Sequence, residues 1–191
     1  MTLVEEISGL FTRRGAAAYF GESVSMAEHS LQAAYFAQRE AAPPALIIAA
    51  LLHDVGHLID DVPDDVHEWK TDARHEQVGS RWLACRFPAS VSEPVRLHVP
   101  AKRYLCATDR GYYGKLSPAS VLTLKLQGGP MSPEETARFE AERFHREAVR
   151  VRRWDDAGKV AGLITPGLAD YRALIEALRD HSLGTNIASS T

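Results

Sequence analysis

Hydrophobic positions recur with a helical period along almost the whole chain. The spacing predicts helices over 26–41, 45–59, 74–87, 90–105, 117–127, 132–154 and 166–180. No segment alternates apolar and polar residues over the length of a useful strand. We therefore expect an all-α protein: a single helical bundle of about seven or eight helices over 1–181, followed by a polar tail over 182–191.

Local signals place several helix ends. Pro43-Pro44 ends one helix and begins the next, because proline is tolerated in a first helical turn. Ser132 followed by Pro133 and Glu135 predicts a capped helix start, and Ser90 with Glu93 resembles a capping box. The helix over 45–59 is apolar on nearly all sides, so we expect it to be the central buried helix.

The composition is that of an ordinary soluble globule, with 45% hydrophobic and 25% charged residues among 191. A net charge of −3 gives no footprint for nucleic acid or an anionic membrane. The longest apolar run, 45–52, is too short to span a bilayer, and Glu5 and Glu6 interrupt any signal peptide. Cys85 and Cys106 are too few for a disulfide scaffold, so we expect reduced thiols and a cytoplasmic location.

Candidate chemistry lies in the histidines on the predicted helices: His29, His53, His57, His75 and His98. Asp54 follows His53 in the most apolar helix, where a buried carboxylate is costly unless it is paired or binds a metal. A single such histidine is more often a core or surface residue. Several of them on separate helices, together with a His-Asp pair, favour a metal site in the bundle core. Imidazole suits iron, zinc, copper or nickel, and a carboxylate can bridge two metals.

Seven short segments make the pattern specific. In chain order they read YFGE from Tyr19, EHSLQ from Glu28, LLHDVGH from Leu51, RHEQVG from Arg74, HVPAKRYL from His98, LQGGPM from Leu126 and RRWDDAGK from Arg152. As a set they resemble the HD-domain mixed-valent di-iron oxygenases of the PhnZ and TmpB type, which cleave carbon–phosphorus bonds. The resemblance covers 19–159, most of the chain, and implies an HD-domain bundle with a di-metal site in its core.

The resemblance implies two iron ions, Fe(II) and Fe(III), with O2 as co-substrate. His29, His53 and Asp155 would bind one iron, His75 and His98 the other, and Asp54 would bridge them. Asp156 is the alternative to Asp155. Glu22 would be a ligand that leaves when substrate arrives, and Tyr19 would move with it.

The resemblance also implies a substrate pocket. It assigns the phosphonate to His57, Lys102, Ser120, Thr123 and Gln127, with Lys102 and His57 each one helical turn after a proposed ligand. On pattern alone, a solvent-facing stripe is the better interpretation of Ser120, Thr123 and Gln127. The remaining cations divide into expected surface charges and one open case, Lys159. The expected surface charges are Arg103, Lys125, Arg152 and Arg153.

A cationic amine at the other end of the substrate has two kinds of candidate partner. Aromatic side chains could hold a quaternary ammonium, and carboxylates a primary ammonium. The aromatic candidates are Trp69, Tyr112, Tyr113 and Trp154, and the carboxylate candidates are Glu68, Asp72 and Asp109. For each, core packing or a loop surface is the simpler interpretation.

The expected function is therefore an oxygenase of organophosphonate catabolism. It would cleave 1-hydroxy-2-(trimethylammonio)ethylphosphonate or 1-hydroxy-2-aminoethylphosphonate to phosphate plus glycine betaine or glycine. The main alternative is a dinuclear HD phosphohydrolase that acts on a phosphate ester. An inositol-oxygenase-like enzyme and a signalling HD domain without chemistry are further alternatives. We expect a small-molecule partner and neither nucleic acid nor membrane, while the oligomeric state stays open.

Overall fold

The computed structural model describes residues 1–59 and 74–187, with side chains to 179. This part of the chain has ten α-helices and no strand beyond one isolated bridge between Ala18 and Ser25, so the all-α prediction is confirmed. The helices are α1 (Leu3–Arg14), α2 (Met26–Arg39), α3 (Pro44–Leu51), α4 (Val55–Ile59), α5 (His75–Ala84), α6 (Ala89–Thr108), α7 (Pro118–Leu126), α8 (Pro133–Glu140), α9 (His145–Ala157) and α10 (Arg172–Ile187). Among them, none combines the length and the hydrophobicity needed to cross a membrane.

Helix starts follow the capping chemistry in some places and not in others. Ser132 and Glu135 form the predicted capping box at α8. The box predicted at Ser90 and Glu93 is wrong, because α6 begins earlier, at Ala89 after Pro88, and Glu93 instead pairs with Arg96. The N-terminal helix α1 was not predicted, although Thr2 and Glu5 form a capping box there.

The apolar helix α3 lies at the centre of the bundle, as predicted. Residues 46–52 are all buried, and α2, α6 and α9 pack around them. This packing buries a helix that has no polar face. Removing its apolar side chains from water stabilises the fold.

Two predicted helices are each divided in two. The helix over 45–59 breaks after Leu51, and α4 begins at Val55, so His53 and Asp54 lie in the turn between α3 and α4. The helix over 132–154 breaks between α8 and α9. At the C-terminus, α10 continues to Ile187, beyond the predicted end at 180. The proposed division into a domain over 1–181 and a tail over 182–191 stays a prediction.

Candidate metal centre

Four histidines and one aspartate from separate parts of the bundle meet in its interior. His29 comes from α2, His53 and Asp54 from the turn between α3 and α4, His75 from α5 and His98 from α6, and all are buried. Their donor atoms form two groups that share Asp54. The Oδ2 atom of Asp54 lies 3.4 Å from Nε2 of His53, and its Oδ1 atom lies 3.2 Å from Nε2 of His75. Asp54 thus presents one oxygen to each histidine pair, as a bridging carboxylate must.

Backbone carbonyls orient three of the histidine rings. Nδ1 of His29 lies 2.8 Å from the Gly158 carbonyl oxygen. Likewise, Nδ1 of His53 lies 2.8 Å from the Ala50 oxygen, and Nδ1 of His98 lies 2.7 Å from the Val95 oxygen. A carbonyl can only accept, so these Nδ1 atoms carry the proton and the Nε2 lone pairs point into the cluster.

The cluster fits a pair of metal ions. Nε2 of His29 lies 3.0 Å from Nε2 of His53, and Nε2 of His75 lies 3.2 Å from Nε2 of His98. Two Nε2 atoms at this separation share either a proton or a metal ion. Imidazole nitrogen and carboxylate oxygen, without thiolate, form a donor set that suits a first-row transition metal. The individual ligand roles stay predictions.

Without a metal, protons balance the charge of the cluster. Burial lowers the pKa of His53, but the adjacent Asp54 outweighs burial and raises it to about 9. Burial disfavours ionisation of Asp54, yet the surrounding imidazoles hold its pKa well below the ordinary value. Because the carboxylate is ionised and the imidazole next to it is protonated, a cation that binds here displaces a proton.

The structure separates the two candidate aspartates at the end of α9. The Oδ1 atom of Asp155 lies 3.4 Å from Nε2 of His29 and has no hydrogen-bond partner among the described residues, while its Oδ2 accepts a 2.6 Å hydrogen bond from Arg152. Asp156 turns away from the cluster and binds Arg152 and Tyr112. The geometry therefore favours Asp155 as the ligand.

Tyr19 and Glu22 lie beside the cluster on the turn that precedes α2. The Tyr19 ring stacks on His29 with 3.7 Å between ring centroids, and its hydroxyl donates a 2.8 Å hydrogen bond to Asp54. Burial and Asp54 raise the pKa of Tyr19 well above its ordinary value, so the phenol keeps its proton. Glu22 lines the adjacent cavity, with Oε1 3.4 Å from Nζ of Lys159. The role of Glu22 as a displaceable ligand stays a prediction.

A cavity of about 40 Å³ opens directly onto the cluster. The predicted phosphonate residues all line it: His57, Lys102, Ser120, Thr123 and Gln127. Nζ of Lys102 donates a 2.8 Å hydrogen bond to Thr123, and Nζ of Lys159 lies 3.1 Å from Oγ of Ser120. The polar stripe of α7 therefore faces this cavity, and the solvent-facing interpretation is wrong. Burial and nearby His75 lower the pKa of His57 well below its ordinary value, so the ring is neutral.

Arg152 is the main cavity residue that the sequence interpretation missed. We predicted a surface charge, but Arg152 is 4% exposed and lines the cavity. The physical reason is that Asp155 and Asp156 follow it at i+3 and i+4 on α9 and neutralise its guanidinium. That spacing was visible in the sequence. The predicted surface position is confirmed for Lys125 and Arg153, which are exposed, whereas Arg103 is partly buried by its ion pair with Glu135.

The described candidates for an ammonium site do not line the cavity. Trp154 packs in the core, Tyr112 binds Asp156, and Tyr113 is 48% exposed. Asp109 pairs with Arg153 at the surface. Trp69, Glu68 and Asp72 lie outside the described residues.

Two glycines hold α4 against α5 and thereby position His75. A Cβ atom on Gly56 would lie 2.1 Å from the His75 carbonyl oxygen, and one on Gly79 would lie 3.1 Å from the Gly56 nitrogen. We expect Gly56→Ala to push α5 away, lower the free energy of unfolding by about 1–3 kcal/mol and weaken metal binding at His75. Thermal unfolding and metal content check this. Gly114→Ala is the control, since a Cβ there meets nothing within 4 Å. Unchanged stability and metal content in Gly56→Ala would contradict the prediction.

A helical bundle with a buried histidine–aspartate cluster that can hold two cations defines the class of protein. The HD-domain family model matches residues 26–156, and the chain belongs to that family. The match includes all four cluster histidines with Asp54 and Asp155, because all of them fall within 26–156.

 The fifth predicted histidine, His57, also falls within this range and lines the cavity beside the cluster.

Similar proteins narrow the family further. The chain is 42% identical over 182 residues to the [1-hydroxy-2-(trimethylamino)ethyl]phosphonate dioxygenase (glycine-betaine-forming) of Leisingera caerulea, covering 95% of this chain and 93% of that protein. It is 47% identical over 165 residues to the hydroxymethylphosphonate dioxygenase of Gimesia maris, covering 86% and 82%. An uncharacterized protein of Acanthamoeba polyphaga mimivirus is 33% identical over 90% of this chain and 80% of its own. The predicted resemblance to phosphonate-cleaving HD-domain oxygenases is confirmed.

Proposed function

We propose that this protein is an O2-dependent oxygenase that cleaves the carbon–phosphorus bond of a phosphonate with a hydroxyl group on the carbon next to phosphorus. The observation that carries the proposal is the position of the cavity that Lys102 lines, which opens directly onto the buried histidine–aspartate cluster. Both similar dioxygenases are named for phosphonates of this kind, which supports the same substrate class here. The candidate substrates are 1-hydroxy-2-(trimethylammonio)ethylphosphonate and 1-hydroxy-2-aminoethylphosphonate. A third candidate is hydroxymethylphosphonate, for which the similar dioxygenase of Gimesia maris is named.

The cofactor that we propose is a pair of iron ions in the Fe(II)/Fe(III) state. His29, His53 and Asp155 would hold one ion and His75 and His98 the other, with Asp54 shared between them. When bound, the irons supply the one-electron redox chemistry that lets O2 react with an unactivated C–H bond. The absence of any thiolate from the cluster agrees with iron in a nitrogen- and oxygen-donor site.

The residues of the cavity would bind and orient the phosphonate. Lys102 supplies positive charge, and Ser120, Thr123 and Gln127 supply polar groups on α7 or just beyond it. The Oε1 atom of Gln127 has no hydrogen-bond partner among the described residues, so it is available to accept a hydrogen bond from a donor group of the substrate such as its hydroxyl. Holding the phosphonate at this end turns the hydroxylated carbon toward the cluster, which is the positioning that the reaction needs.

The overall reaction balances with one O2 for each substrate. The C–H and C–P bonds of the hydroxylated carbon break, one oxygen atom joins that carbon and the other joins phosphorus. The carbon becomes a carboxylate and the phosphonate becomes inorganic phosphate. The trimethylammonio substrate gives glycine betaine, the amino substrate gives glycine, and hydroxymethylphosphonate gives formate.

Incubation of the reduced, iron-loaded protein with each of the three hydroxyphosphonates under O2 tests the proposal. We expect phosphate release that matches O2 uptake mole for mole with at least one of them. The matched control is 2-aminoethylphosphonate, which lacks the hydroxyl group and should give no phosphate. Phosphate release from a phosphate ester without O2, in protein loaded with zinc, manganese or cobalt, would instead identify the phosphohydrolase.

A further inference from the structure

Glu76 is a buried carboxylate that the proposed chemistry does not use. It lies in the first turn of α5, directly after His75, and is 5% exposed. Its Oε2 atom has no hydrogen-bond partner among the described residues. A buried carboxylate is costly without a cationic or proton-donating neighbour, so the surroundings of Oε2 are informative.

Among the described residues, the ionisable group within 4 Å of the Glu76 carboxylate is the ring of His75. Oε2 of Glu76 lies 3.8 Å from Nδ1 of His75, while Nε2 of the same ring lies 3.2 Å from Oδ1 of Asp54. The imidazole therefore lies between two carboxylates, one at each nitrogen. The ring of His57 stacks on its face with 3.9 Å between centroids and helps to hold this orientation.

The other three histidines of the cluster have neutral partners at Nδ1. His29, His53 and His98 each face a backbone carbonyl at 2.7 to 2.8 Å. A carboxylate at Nδ1 makes an imidazole a stronger electron donor than a carbonyl does. At 3.8 Å, Glu76 lies beyond hydrogen-bond distance, so it acts on the ring through its charge. Among the four, His75 alone has a carboxylate at this position in the described part of the chain.

The charges around the cluster reinforce the difference between its two sides. On the His29–His53 side, the negative charge of Asp155 is offset by Arg152, whose Nη1 donates a 2.6 Å hydrogen bond to Oδ2. On the His75–His98 side, the His75 imidazole is the ionisable partner within 4 Å of Glu76 among the described residues. Because Asp54 contributes one oxygen to each side, it does not cancel the asymmetry.

We infer that Glu76 is a positioning residue that acts through His75 and strengthens metal binding on the His75–His98 side of the centre. The inference rests on the proposed function, since it requires metals on both sides of Asp54.

Glu76→Gln is the direct test, because it keeps the size of the side chain and removes its charge. We expect titration of the metal-free variant with Fe(II) under anaerobic conditions to show one binding step weakened by roughly 10- to 100-fold and the other unchanged. We also expect the reduction midpoint of the metal pair to rise and its mixed-valent electron paramagnetic resonance signal to shift or weaken. Glu76→Asp should restore part of both properties.

Glu134→Gln is the matched control, since Glu134 also lies in the first turn of a helix but is exposed at α8. It should leave both binding steps and the midpoint unchanged. The inference is overturned if Glu76→Gln behaves like this control, or if it changes only the thermal stability of the metal-free protein. If the wild-type protein shows no binding step at all, the proposed function fails too, which separates the two failures.

Discussion

Replacing Asp54 by alanine is expected to remove both metals at once. Its two oxygens face different histidine pairs, at 3.4 Å from His53 and 3.2 Å from His75, so neither half of the cluster keeps its full donor set. The loss of affinity should exceed the roughly 10- to 100-fold that a partner behind the ligands contributes. Metal analysis after anaerobic loading and desalting measures the effect, and phosphate release should fall to the level of the metal-free protein.

Two further variants test whether the loss of both metals is specific to a bridging carboxylate. His98→Ala removes a donor from one side only, so it should weaken one metal and leave the other bound. Asp109→Ala removes a carboxylate that pairs with Arg153 at the surface and should change neither. Circular dichroism of the metal-free proteins checks that each variant is folded. Retention of one tightly bound metal in Asp54→Ala would contradict the bridging role.

The location of the candidate site could be predicted because its residues break the hydrophobic pattern. His53 and Asp54 interrupt the most apolar helix of the chain, and a buried ionisable pair in such a place needs a partner. The break between α3 and α4 could not be predicted, because His53 and Asp54 fit a helical period as well as the residues around them do. The turn follows from tertiary contacts, in which Asp54 meets donors from α2, α5 and α6.

The choice between neighbouring aspartates also depends on tertiary structure. Asp155 and Asp156 are adjacent, and the sequence shows no difference in their chemistry. In the fold, the helical rotation between consecutive residues directs Asp155 at His29 and Asp156 at Tyr112. Arg152 contacts both carboxylates, which explains why it is buried although its sequence context is polar.

The polar face of α7 shows that a sequence pattern alone can assign buried cavity residues to the surface. Ser120 and Thr123 form a stripe that a surface helix would also show. What makes the stripe part of the cavity is the pair of lysines that reach it, Lys102 from α6 and Lys159 after α9. Neither lysine is close to α7 in sequence, so only the family resemblance connected these residues before the structure did.

Lys102 is the cation best placed to decide phosphonate affinity. It lies one helical turn after His98 on α6, is 2% exposed, and its Nζ donates to Thr123 at 2.8 Å. Burial and the nearby Arg152 lower the pKa of Lys102 to about 7. A phosphonate that enters the cavity brings negative charge beside the amine, which favours the protonated form and makes the contact a charge-assisted hydrogen bond.

Lys102→Met is therefore expected to raise the KM for the phosphonate by roughly 10- to 150-fold, since a hydrogen bond to a charged group contributes about 1.5–3 kcal/mol. The metal content should be unchanged, and the variant should be at least as stable to heat, because it no longer buries an amine. In the wild-type protein the KM should rise as the pH increases above about 7, where the free amine loses its proton, and this part of the pH dependence should disappear in the variant. Lys125→Met, on the exposed side of α7, is the matched control. A KM for Lys102→Met that equals the control value would show that Lys102 does not contact the phosphonate.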